Sequence, residues 1–172
     1  MRKTNDHSIQ YTGLKLGIHE FKFELSEKFF EGFEYSEISG SKIQVEVILE
    51  KKNTMIILDF IVNGKAESLC DRCQEKVEIE LAHKDRVFVK FGEQTSATDG
   101  DILVLGPQEF EIELSQFLYE FSHLAMPAKR VHSTMNACNK DIIQILDEMA
   151  DFEEEKETDS RWDALKRLTD SE

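Results

Sequence analysis

From Ile43 to Phe91, apolar residues return at every second position in four successive runs. Ile43, Val45, Val47 and Leu49 form the first run. Ile56, Leu58, Phe60 and Val62 form the second. Val77, Ile79 and Leu81 follow, and then Val87, Val89 and Phe91. A strand points successive side chains to opposite faces, so this period commits the region to strands with one buried face. The polar EKKN at 50–53 suits a hairpin loop between the first two runs. Asn63-Gly64 carries the strongest short turn signal in the chain, and a second hairpin is predicted there. Together these runs call for an antiparallel sheet of five or more strands.

The period then changes. GEQTSATDGD, from Gly92 to Asp101, reads as a polar loop, and ILVL and EFEIEL after it read as short strands. Leu114, Phe117, Leu118, Phe121, Leu124 and Ala125 recur at helical spacing, with Ser115 as the expected cap and Pro127 as the stop. A second helix is expected over 141–150, with Ile142, Ile145, Leu146 and Met149 on one side. The fold class is therefore α+β: a mostly antiparallel twisted sheet, open or closed into part of a barrel, with one main packed helix and a small C-terminal helical element. Residues 1–150 are expected to form a single domain. DFEEEKETDS, 151–160, reads as an acidic mobile linker, and 161–172 as a short amphipathic C-terminal segment built on Trp162, Leu165 and Leu168. Such a segment cannot fold alone and must dock on something.

Composition narrows the function. No apolar run approaches the ~18 residues that span a bilayer, and the polar start MRKTNDHSIQY lacks the apolar stretch of a signal peptide. The expected compartment is cytoplasmic, with no membrane partner and with thiols kept reduced. The formal charge is −14, from 21 basic and 35 acidic residues, and more than half of it lies in residues 141–172. Nucleic-acid backbones are held by lysine and arginine, so unaided binding would need a segregated basic face. Acidity suits a basic protein partner instead. There is no Gly-rich phosphate loop, His-Glu metalloprotease helix or nucleophile elbow. An enzyme acting on a small-molecule substrate is not expected, and no catalytic residue is assigned.

SLCDRCQ, 68–74, places Cys70 and Cys73 three positions apart, and His132 and Cys138 form a second cluster. A Cys-x-x-Cys turn presents two thiolates at the bite that tetrahedral zinc requires, and a His and a third Cys would complete a closed Cys3His site. The other reading is three reduced thiols near the core. A thioredoxin-like role would need the first cysteine at a helix N-terminus after a strand. Here the residues after Cys73 alternate as a strand, which argues against it. His83 and His123 have no companions at ligand spacing.

Several of these features occur together in an order that resembles the YceD family of large ribosomal RNA subunit accumulation proteins. They are the Cys-x-Arg-Cys turn (Cys70, Arg72, Cys73) followed by a strand, and the Glu111-Ile112-Glu113-Leu114 lead into a helix. Pro127 and His132 come next, five residues apart, then Cys138, and last an aromatic-x-Ala-Leu segment, Trp162, Ala164 and Leu165. The resemblance covers roughly residues 60–168. It implies a non-enzymatic factor for accumulation or processing of large-subunit (23S) ribosomal RNA. The partner it implies is a large-subunit ribosomal protein or an rRNA-processing factor. A direct RNA-binding module is the alternative, using a local basic patch of Arg72, Lys76, Lys129 and Arg130 beside the cysteines. A small structural zinc protein with another role is a third reading.

Overall fold

The computed structural model describes residues 2–3, 7–93, 96–98 and 101–150. The alternating runs do form the sheet. Strands β3 (Gly17–Ser26), β4 (Ser39–Lys51), β5 (Met55–Leu69) and β6 (Lys76–Phe91) make an antiparallel meander in chain order. Short strands extend it on both sides. β1 (Arg2–Lys3) pairs parallel with β3, and β8 (Ile102–Leu105) pairs parallel with β6 and carries β7 (Ser96–Thr98) antiparallel. The order is β1-β3-β4-β5-β6-β8-β7. The sheet is open, with β1 and β7 at its edges, so the barrel alternative is not realised. A separate ribbon pairs β2 (Ser8–Gln10) with β9 (Glu111–Glu113).

One face of the meander is buried along its length: Phe21, Phe23 and Leu25 from β3; Ile43, Val45, Val47 and Leu49 from β4; Ile56, Leu58, Phe60 and Val62 from β5; Val77, Ile79, Leu81, Val87 and Val89 from β6. Burial removes about 25 cal/mol for each Å² of apolar surface, so this face is the main stabilising element. Helix α2 (Ser115–Leu124) lies over it, with Phe121 edge-on to Phe60 at 4.9 Å between ring centroids and Leu118 fully buried. A four-residue helix α1 (Glu27–Phe30) adds Phe30 to the same core.

Three local expectations are corrected. Asn63-Gly64 is not a turn: β5 runs straight through it, with Gly64 opposite Ile43 on one side and Leu81 on the other. Glycine is there for close approach. A Cβ at Gly64 would meet the Lys42 carbonyl oxygen at 2.5 Å and the Ile43 Cα at 2.7 Å, next to an irregularity in β4 between Ser39 and Lys42. The connection comes six residues later, and it is the cysteine turn itself. Ser115 is not the cap of α2; Leu114 occupies that position, while the Ser115 amide and hydroxyl both donate to Glu113 Oε1. The polar stretch after Gly92 includes a strand, β7. The expected second helix is α3 (Lys140–Ala150). The linker at 151–160 and the segment at 161–172 lie outside the described residues.

Candidate metal centre

The β5–β6 hairpin loop is built from Cys70 to Glu75. The Gln74 amide donates to the Cys70 carbonyl at 2.8 Å, and the Cys70 amide donates to the Glu75 carbonyl at 2.8 Å. Gln74 takes a left-handed backbone, φ +60°, to close this turn without a glycine. The tightness matters chemically. Burial pushes the Cys70 thiol up, but backbone N–H groups of Cys73, Arg72 and His132, with the Cys73 side chain, point at its sulfur and outweigh that effect. The net result is a thiol lowered to about 6. Cys138 goes the other way, raised to about 11 by burial and by the neighbouring Cys73 and Cys70 sulfurs. Three crowded thiols with nothing positive between them cannot all be thiolates; a cation in their midst would reverse that.

After α2 the chain returns across the turn. The Asp71 amide donates to the Arg130 carbonyl at 2.8 Å, and the Arg130 amide donates to Asp71 Oδ2 at 2.7 Å. Arg72 donates from Nη2 to the His132 carbonyl at 2.8 Å. These bonds deliver His132 and Cys138 to the two turn cysteines. All three cysteines are buried and free, His132 is half-buried, and the four ligand atoms all lie within 4.8 Å of one another.

The orientation of the imidazole is the informative detail. His132 Nε2 lies 3.2 Å from the Lys76 carbonyl, so it carries the proton and donates. Nδ1 is then a lone pair aimed at the sulfurs, 3.6 Å from both Cys73 Sγ and Cys138 Sγ. A tetrahedral site with a metal–sulfur distance of about 2.3 Å and a metal–nitrogen distance of about 2.0–2.1 Å has an N···S edge of about 3.6 Å. A backbone carbonyl fixing the remote nitrogen is the usual support for a metal-bound histidine. The cluster can hold a metal ion.

The four basic candidates sit at this end of the molecule in different states. Arg72 is occupied with the His132 carbonyl. Lys76 pairs with Glu67 at 3.1 Å. Arg130 pairs with Glu37 and lies 3.6 Å from Asp71. Lys129 is exposed and has no ion pair among the described residues.

Other contributors surround them. Asp71 acts through its amide as well as its carboxylate and Lys76 through its carbonyl, and the backbone groups leave no mark in a sequence pattern. Asn139 was legible as a cap signal before an apolar-periodic helix. Its side-chain oxygen accepts from the Asp141 and Ile142 amides, and its nitrogen donates to Glu75. It therefore couples the start of α3 to the cysteine turn.

The family model described as Large ribosomal RNA subunit accumulation protein YceD matches residues 58–169, about two thirds of the chain and the whole of this cluster. The chain belongs to the YceD family. The match begins within β5, so β3, β4 and the β2 strand lie before the YceD region although they complete its core. No curated protein and no solved structure matches the chain. Among the described residues, no helix is long and apolar enough to cross a membrane.

Proposed function

We propose that this protein supports accumulation of large-subunit (23S) ribosomal RNA in the cytoplasm by binding, and that zinc ties together the surface it binds with. The carrying observation is that the YceD match spans the Cys70, Cys73, His132 and Cys138 cluster. Zinc suits the donor set: three thiolates and one imidazole close the coordination sphere with no open position, the arrangement of a structural rather than a catalytic ion. When bound, the ion cross-links the β5–β6 loop to the segment leading into α3. Arg72, Asp71 and Lys76 hold the ligand-bearing backbone in place for it.

The partner is a basic ribosomal protein or an rRNA-processing factor of the large subunit. Two features favour protein contacts over a direct grip on RNA. The charge of −14 repels a phosphate backbone. Of the four basic candidates, Lys76 and Arg130 already face carboxylates. Charge complementarity with a basic partner would speed and orient the encounter.

Sedimentation tests this. Tagged protein should travel with large-subunit precursors in low salt, and Asp71→Ala together with Arg72→Ala should weaken that association with the sheet intact. Absence from every precursor fraction would overturn the reading. Recovery on protein-free ribosomal RNA with steep salt dependence would transfer it to the RNA-binding alternative through Arg72, Lys76, Lys129 and Arg130.

A further inference from the structure

Helix α3 is amphipathic, yet it stands with its apolar stripe outward. At 3.6 residues per turn, Ile142, Ile145, Leu146 and Met149 share one stripe. All four are exposed, Ile145 to 51% and Met149 to 68%. Among the described residues of the helix, Ile143, on one side of the stripe, is the only hydrophobic one that packs against the core. Asp141 and Glu148 line the opposite edge, and neither is in an ion pair among the described residues. An 11-residue helix is marginal alone, and a stripe of this kind needs a cover.

The chain itself carries a matching occupant. We infer that residues 161–168, Arg-Trp-Asp-Ala-Leu-Lys-Arg-Leu, fold back and cover the α3 stripe. Trp162, Leu165 and Leu168 supply apolar residues at helical spacing. Arg161, Lys166 and Arg167 against the lone Asp163 give this stretch a net charge of +2 in a chain that is otherwise strongly acidic. Its charge complements the Asp141–Glu148 edge. The intervening DFEEEKETDS is acidic and gains nothing by lying there.

Reach is not limiting. Ten residues extend up to about 33 Å, whereas α3 is about 16 Å long. A tether this short holds the segment at a local concentration on the order of millimolar, so even a weak intrinsic affinity keeps it docked.

Trp162 is the only tryptophan in the chain, so fluorescence reads this contact without labelling. In the full-length protein, Trp162 emission should be blue-shifted and shielded from acrylamide, independent of protein concentration. Ile145→Ser with Met149→Ser, both at exposed positions, should abolish the shift and the shielding while far-UV circular dichroism of the sheet stays unchanged. Solvent-like emission in the wild type would overturn the inference. So would a shift that survives the double variant, which places Trp162 elsewhere. A shift that vanishes on dilution would assign the stripe to a second copy. One that appears only when large-subunit precursors are added would assign it to a partner. Either of these also overturns the intramolecular contact, and none of the four bears on the zinc site.

Discussion

Cys138→Ala removes one of the four proposed zinc ligands at a position outside the strands, and its consequence can be worked from the contacts. Among the described residues, six hydrogen bonds of 3.2 Å or less join residues Arg130–Asn139 to the β5–β6 hairpin and to Glu37: Asp71 to Arg130, Arg130 to Asp71 and to Glu37, Arg72 to His132, His132 to Lys76, and Asn139 to Glu75. At about 1 kcal/mol net each, they contribute about 6 kcal/mol. Ordering ten residues costs about 1–2 kcal/mol apiece, or about 10–20 kcal/mol. Structural zinc in small peptides is worth about 10–16 kcal/mol, and with it the two sides come to near balance. Without it the segment opens. The sheet core, from Phe23 to Val89, does not depend on these contacts and stays folded. Loss of a direct ligand should weaken zinc binding by more than the roughly 10–100-fold that supporting residues typically command. The assay is zinc content by mass spectrometry under chelator competition, alongside hydrogen exchange. The variant should lose protection over 130–150 and keep it in β4, β5 and β6. Two results would refute the reasoning: wild-type protein that retains full protection of 130–139 after its metal is stripped, or a variant that exchanges no faster there than wild type.

Further expectations follow from other parts of the structure. Gly64→Ala drives a Cβ into the Lys42 carbonyl at a strand paired on both sides, which should cost about 1–3 kcal/mol. At roughly 2–4 °C per kcal/mol for a chain of this size, calorimetry should show the melting temperature fall by about 2–12 °C. Phe121→Ala removes the ring packed on Phe60 and should cost about 3–5 kcal/mol, read from the urea midpoint at unchanged slope. In reduced, metal-free protein, Cys70 titrates lower in the folded state, about 6, than its usual value of 9.0, so it adds stability that is present above pH 9 and lost as pH falls through 6. Cys138, at about 11, adds stability below pH 9 that is lost as pH rises towards 11. Denaturant midpoints should therefore rise from pH 6 to pH 9 and fall beyond it, and zinc-loaded protein, whose bound thiolates must take up protons on unfolding below pH 9, should rise more steeply over the same range.

What the chain determines by itself is whatever depends on local period and residue chemistry. Alternation at Ile43–Leu49, Ile56–Val62 and Val77–Leu81 dictates strands with one buried face, because the pleat repeats every two residues. The spacing of Leu114, Leu118 and Phe121 dictates the helix that covers them. The same holds for the donor set, since Cys70, Cys73, His132 and Cys138 are the residue types that grip a borderline metal. Tertiary structure decided what depends on neighbours distant in sequence. Asn63-Gly64 is a turn signal only if the chain is free to turn, and β4 and β6 hydrogen-bond to it from both sides. There, the absence of a Cβ serves close packing rather than a positive φ. The sheet's openness follows from which strands pair at its edges, β1 with β3 and β7 with β8, and no pattern within a single strand encodes that. The candidate metal centre divides in the same way. Its ligands are legible as letters, but their convergence is carried by the Asp71–Arg130 interlock and the Lys76 carbonyl that orients His132. These contacts run mainly through backbone atoms, which every residue has and no sequence distinguishes.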